Sequence, residues 1–458
     1  MTLAARTRRL GAALLRPVDA AGLAAFRVLF GALMLASTIR FAANGWIHDL
    51  YVAPAVHFHY WGFAWVEPLG ALGMRAVFVA LGAAAALVAL GLFYRPAIAV
   101  FFALFTYVEL IDKATYLNHY YFISALSLLM IALPLHRGYS LDARRRPALR
   151  EATAPAWVLA ALRLQVGLVY FYAGVAKLRY DWLVEAQPLR LWLAVRDELP
   201  LLGPLLRHPE VAWAMSWGGA LFDLSAPFLL LSRRWRPYAY AGVLVFHGLT
   251  GTLFPAIGMF PWIMSAAALV FFPPSWPRRA LAQLGGRRLA AVAEGEGGGG
   301  APGGARRPPR ALVVALAVHF FLQLGLPLRR FAYPGETAWT EEGFRFAWQV
   351  MLVEKTGTVS FRVRDPASGR AWIVDAEGIL SPLQAKQAPF QPDMILELAH
   401  MIAAEERRKG REVEVRADAY VAYNGRGHAR LVDPEVDLAR VEDGLAPKAW
   451  ILPAPPRR

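Results

Sequence analysis

"PAWVLAALRLQVGLVYFYAGVAKLRYDW", residues 155–182, decides what kind of protein this is. From 155 to 175 the run is apolar except for Arg163 and Gln165. A segment of that length in hydrocarbon must be a helix, because a lone strand facing lipid cannot satisfy its backbone. The helix would leave the hydrocarbon at Lys177, with Tyr170 two turns earlier on the same face. A lysine at the end of a span ordinarily snorkels to the interface. Shielded by Tyr170, Phe171, Tyr172, Tyr180 and Trp182, the same amine has the surroundings of a base. These residues alone leave both readings open.

The rest of the chain has the same texture. Its 458 residues are 57% hydrophobic and only 18% charged, where a soluble protein of this size carries about 25% charge. Apolar runs fall near 20–40, 71–93, 96–114, 119–135, 155–175, 213–231, 238–254, 256–273 and 311–327. They predict a mainly α-helical polytopic membrane protein with about nine transmembrane helices. The formal charge of +15 sits largely in short arginine clusters between these runs, which indicates topology rather than nucleic-acid binding. There are no cysteines, so thiol catalysis and thiolate metal sites are excluded.

Loop charge then orients the chain. The basic N-terminal tail (1–18), "HRGYSLDARRRPALR" (136–150), "SRRWRPY" (232–238) and the linker region 274–310 fall on one side, which the positive-inside rule makes cytoplasmic. The loop 41–66 has no lysine or arginine, as an external loop should. The N-terminal apolar run is as long as a true span and reads as an anchor rather than a cleaved signal. A multi-span region over 19–328 is expected, broken by the Gly/Pro-rich linker "AVAEGEGGGGAPGGARRPPR" (291–310). Beyond it, "GTVSFRVRDPASGRAWIVD" (357–375) alternates like a hairpin and "QPDMILELAHMIAAEERRKG" (391–410) reads as an amphipathic helix. Residues 340–450 therefore predict an external α+β domain.

Ionisable groups in hydrocarbon are costly, so their positions point to function. In "TYVELIDKATYLNHYYF" (106–122), Glu109 and Lys113 have the spacing to pair along one helix face. Asn118 and His119 fall at the following external turn. The loop "NGWIHDLYVAPAVHFHYWGF" (44–63) holds His48, His57 and His59 among aromatics, but at no metal-binding spacing, so no metal is expected. His247 and Trp262 approach the same external face. Together these residues predict a pocket for a flat apolar molecule with a polar head. In the external domain, Tyr420, Tyr423, Asn424 and Arg426 either cover that pocket, grip a peptide or form an ordinary exposed turn.

Several of these stretches resemble the vitamin K-dependent gamma-carboxylase family and its bacterial relatives, the horizontally transferred transmembrane (HTTM) domain proteins. The matching segments are "DKATYLNHYY" (112–121), "YFYAGVAKLRYDWL" (170–183), "FHGLTGTLFPAIGMFPW" (246–262), "FRFAWQVML" (344–352) and "VRADAYVAYNGRGHARLVDPEVDL" (415–438). The resemblance implies a bacterial inner-membrane enzyme with a cytoplasmic N-terminus and a periplasmic C-terminal domain. In that family a lysine, here Lys177, deprotonates reduced vitamin K or a related quinol, which reacts with O2 to give an epoxide and a strong base. That base removes a proton from a peptide glutamate, which then captures CO2. The family histidine, carried onto His119, would stabilise the developing charge. Asn118, Tyr170, Tyr172, His247 and Trp262 would line the quinol site, and Tyr420, Asn424 and Arg426 would meet the glutamate-containing peptide. One departure stands out: the family has paired lysines where this chain has Ala176 and Lys177. The alternatives are a quinol epoxidase or lipid oxidoreductase without carboxylation, and a membrane transport or binding protein.

Overall fold

A computed structural model describes residues 2–196, 198–200, 202–283, 307–376 and 378–457. A short amphipathic helix, Leu3–Leu15, leads into β1 (Pro17–Asp19), which pairs antiparallel with β2 (Thr153–Pro155). This two-stranded clip ties together the starts of two long helices, α1 (Ala20–Ala43) and α5 (Ala156–Ala176). Between them lie α2 (Gly70–Leu90), α3 (Tyr94–Ile111) and α4 (Asn118–Ala132). After α5 come α6 (Pro209–Leu231), α7 (Arg236–Leu253) and α8 (Phe260–Ala267), which tightens into 3-10 turns as far as Phe271. The last membrane helix is α9 (Arg310–Gly325).

Every one of the nine apolar runs thus carries a helix, but not every helix is a span. Among the described residues six helices are long and apolar enough to cross a membrane: α1, α2, α3, α5, α6 and α9 with its continuation to Ala332. Three helices fall outside that count. At about 1.5 Å per residue, the 15 residues of α4 and the 8 of α8 do not reach across a hydrocarbon core. The third, α7, matches α3 in length at 18 residues but is less apolar, carrying Arg236, two tyrosines, His247 and two threonines. The linker expected at 291–310 lies, up to residue 306, outside the described residues.

Two glycines set the spacing of the bundle. A Cβ on Gly31 would fall 2.5 Å from the Ala89 nitrogen, so α1 and α2 touch backbone to backbone there. A Cβ on Gly174 would fall 2.7 Å from the Leu224 nitrogen, which brings α5 and α6 equally close one turn before Lys177. Any larger residue would have to push these helices apart.

The expected Glu109–Lys113 pair does not form. The α3 helix ends at Ile111, and Asp112 turns extended, accepting from the Ala114 backbone N–H at 2.8 Å. The turn carries Lys113 off the helix face and into the C-terminal domain, where it meets Glu397 at 2.9 Å and Asp393 at 3.4 Å. Both acids sit on α10 (Pro392–Arg408), the amphipathic helix read from the sequence. Against α10 packs an antiparallel sheet of order β4-β3-β5-β6, formed by β3 (Lys355–Arg364), β4 (Ala371–Asp375), β5 (Glu414–Tyr423) and β6 (Ala429–Arg430). The alternation along β5 buries Val415, Ala417, Ala419 and Val421 against Leu396, Leu398 and Ile402. At its end Asn424 and Gly425 both take positive φ (47° and 78°), the conformation an Asn-Gly turn supplies. Of the histidines in the first loop, His59 faces this domain, 3.2 Å from Glu397, while His57 lies 3.5 Å from Asp112 in the turn after α3.

Candidate functional site

Lys177 is the C-cap of α5, and its side chain turns back into the bundle rather than out to the interface; the residue is 4% exposed. Its Nζ lies 2.7 Å from Asp223 Oδ2 on α6, also buried, and 5.3 Å from the centre of the Trp182 ring. Trp182 is fixed in turn by donating its indole N–H to the Ser216 carbonyl at 2.8 Å. A buried ammonium without a partner is prohibitively costly, so the Asp223 carboxylate is what permits a lysine here.

The pair opens into a cavity of about 280 Å³ between α5, α6, α7 and α8. Phe222 and Phe246 stack at 4.6 Å along one wall, and Phe260 closes another. Gly218, Gly219 and Gly242 leave parts of the wall between α6 and α7 without side chains. Val245 and Leu249 also line it while remaining 61% and 44% exposed, so the cavity opens sideways where lipid would lie. Opposite Lys177, Tyr170 and His247 join, with the Tyr170 hydroxyl 2.9 Å from His247 Nε2. When the phenol donates to Nε2, the neutral ring keeps its proton on Nδ1, and that buried nitrogen has no partner among the described residues. Val350 and Met351 of the C-terminal domain complete the wall.

Of the residues singled out from sequence, the cavity collects Lys177, Tyr170 and His247. His119 is buried behind Phe260: its ring and the His247 ring each lie 5.7 Å from Phe260, on separate contacts. Asn118 donates to the Gln349 carbonyl at 3.1 Å and accepts from Tyr116, tying the α4 turn to the C-terminal domain. Tyr172 points the other way from Tyr170 and donates to the Leu324 carbonyl at 2.7 Å. Trp262 is 67% exposed, because Phe260 and Met264, one turn apart, take the inward face of α8.

The three residues assigned to a peptide are also placed elsewhere. Tyr420 lies on the sheet surface and accepts from Arg430 at 2.7 Å. Asn424 and Arg426 turn inward, and both bind Asp181, the first at 3.1 Å. Asn424 and Arg426 are buried while Gly425 and Gly427 between and beyond them stay exposed, and the two buried side chains clamp the C-terminal domain onto the loop that follows Lys177. Arg179 in the same loop reaches Gln349.

Sequence reasoning missed Asp223 and Asp181. For Asp223 the signal was present: it is the one acid in the run 213–231, and a lone carboxylate in hydrocarbon needs a partner. Asp181 sits among ordinary loop charges and carries no such mark.

The matches to known families cover this architecture in two pieces. The HTTM domain model matches residues 15–276, and the model described as vitamin K-dependent gamma-carboxylase, lumenal domain, matches residues 308–457. The chain belongs to the HTTM family. The HTTM domain takes in α1 to α8 and therefore both Lys177 and Asp223, whereas the second match begins just before α9 and includes the sheet. Together they indicate a multi-pass membrane protein of the gamma-carboxylase type, for which vitamin K hydroquinone, O2 and CO2 are implied at family level. No solved structure matches the chain.

Proposed function

We propose that the chain is a quinol-dependent glutamyl carboxylase in which Lys177 is the base. The observation that carries this reading is the buried Lys177–Asp223 pair at 2.7 Å, opening into an apolar, aromatic-walled cavity. The residues present fit a quinol. The walls suit a flat ring, the lateral opening suits a hydrocarbon tail, and His247 Nδ1 is a buried polar atom waiting for a partner. When bound, the quinol supplies the oxygen chemistry that generates a base strong enough to deprotonate a glutamate side chain.

The chain's own contribution is positioning and proton handling. Lysine accepts a proton only as the free amine, and among the described residues the carboxylate within reach of Nζ is Asp223, so the pair is where the proton on Nζ would be relayed. Tyr170 orients the His247 ring through Nε2, leaving Nδ1 as the nitrogen without a partner among the described residues. Val350 and Met351 exclude water from the C-terminal side, which any strongly basic species requires. In this reading the arginine-rich loops face the cytoplasm and the sheet domain faces the periplasm.

A second reading, quinol epoxidation without carboxylation, draws support from His119 and the β5–β6 turn. The histidine expected near the glutamate is separated from Lys177 by Phe260, and Asn424 and Arg426 are committed to Asp181. One experiment tests both. Purified protein in nanodiscs receives reduced vitamin K, O2, labelled bicarbonate and a glutamate-containing peptide, and epoxide and fixed label are followed together. Both products, lost together in a folded Lys177→Ala variant, are expected. Epoxide without label, with every peptide tried, favours the second reading. Wild-type epoxidation by folded Lys177→Ala overturns the base assignment.

A further inference from the structure

A second cavity, of about 510 Å³, lies at the opposite, arginine-rich end of the bundle. It is bounded by the Leu3–Leu15 helix, α5 and α6, and Leu14, Leu159, Phe171 and Phe228 give it an apolar lining. Phe228 and Leu164 line it while 62% and 44% exposed, so this groove is also open towards lipid. It is not part of the Lys177 site.

Two arginines line the groove, and a third stands close by. Arg163 caps the end of α8 and its 3-10 extension, donating to the carbonyls of Val270, Phe271 and Phe272 at 3.0–3.1 Å. Arg236 caps α6 through the Leu230 and Leu231 carbonyls. Both helix ends thereby gain a cation, but neither arginine meets a carboxylate among the described residues. Arg16 is the third. Its backbone is fixed by the clip, where Ala156 N–H donates to the Arg16 carbonyl at 2.9 Å. Its guanidinium is exposed at the groove and has no hydrogen bond or ion pair among the described residues. Arg16 and Arg236 both lie near enough to Arg163 for their charges to act on it. Three like charges at one end of an apolar groove call for an anion with a hydrocarbon tail.

We infer that this groove binds one anionic phospholipid, its phosphate at Arg16 beside Arg163 and its acyl chain along α5 and α6. The reading is independent of the quinol reaction. Free phosphate would satisfy the charge but not the apolar channel, and a zwitterionic lipid would satisfy the channel but not the charge.

The test uses the full chain in neutral detergent, with phosphatidylglycerol, phosphatidylcholine of the same acyl chains, or inorganic phosphate added. Native mass spectrometry counts retained lipid, and thermal melting reads stabilisation. One phosphatidylglycerol retained per chain, with a raised melting temperature, is expected. Arg16→Glu, at an exposed position that leaves the packing intact, should weaken that retention roughly tenfold or more. Arg279→Glu, the same reversal on an exposed side chain that meets Ser275 on the arginine-rich side, should leave it unchanged. Ala160→Phe, which fills the groove, should also abolish retention. Equal retention of phosphatidylcholine overturns the inference, as does full retention by Arg16→Glu. A melting shift from inorganic phosphate matching that from phosphatidylglycerol overturns it as well.

Discussion

Replacing Asp223 by asparagine tests the centre of the proposed site more sharply than replacing the lysine. The substitution keeps the size of the side chain and removes one charge from a pair held at 2.7 Å. At an effective dielectric near 20, that contact is worth about 6 kcal/mol of gross Coulomb attraction. Much of this offsets desolvation, and breaking a buried pair from one side has a net cost of about 3–5 kcal/mol. Asp223→Asn should therefore lower the melting temperature markedly. Epoxide formation should fall by about two orders of magnitude or more, the scale of a lost proton-transfer partner. A double variant separates the two effects. Lys177→Met with Asp223→Leu removes both charges, and apolar replacement of a buried pair is neutral or stabilising by about 1–4 kcal/mol. The double variant should melt above either single one and be inactive. Melting of purified nanodisc samples, read beside epoxide assays, gives the coupling through the double-mutant cycle. An Asp223→Asn protein that melts and turns over like the wild type refutes the argument that this carboxylate holds and serves the lysine.

Three further outcomes follow from the geometry. Gly174→Ala places a methyl 2.7 Å from the Leu224 nitrogen, and the overpacking should cost about 1–3 kcal/mol and reduce turnover by separating Lys177 from Asp223; wild-type melting and activity would contradict the close approach. Asp181→Asn strips Arg426 of its buried partner, and hydrogen exchange should rise across 414–430 before it rises in α5; unchanged protection there would mean that the clamp does not hold the domain. Docking of the C-terminal domain should also depend on pH. The Glu397 carboxyl hydrogen-bonded to His59 raises the imidazole above its ordinary 6.5, so that contribution is complete below 6.5 and is lost as pH rises through the raised value. Burial alone would raise Glu397, but the His59 hydrogen bond and the Lys113 charge outweigh it and bring the carboxyl below 4.5, so its contribution is present above 4.5 and is lost on acidification. Limited proteolysis should find the domain most protected between about pH 4.5 and 6.5, and His59→Ala should remove the alkaline limb; a flat profile in the wild type would refute the linkage.

Much of this protein is determined by sequence alone, because the properties concerned are local. Apolar runs dictate helices wherever hydrocarbon is the solvent, and all nine runs are helical. Alternation and the Asn424–Gly425 pair dictate the β5–β6 turn, and the amphipathic stretch after Gln391 dictates α10. Lys177 is also legible, since a lysine ringed by aromatics at a helix end is conspicuous. What tertiary structure decided is which of these groups meet. Lys177 and Asp223 are 46 residues apart, and only the glycine-spaced approach of α5 to α6 joins them. Lys113 has the spacing for Glu109, yet one extended residue, Asp112, ends the helix and delivers the lysine to acids 280 residues further on. Tyr170 and Tyr172 are two residues apart in the chain and take opposite sides of α5, one lining the cavity and one holding α9. Spacing along a chain reports which residues share a face for as long as the helix lasts; which face is turned inward, and onto what partner, is set by the packing of the whole bundle.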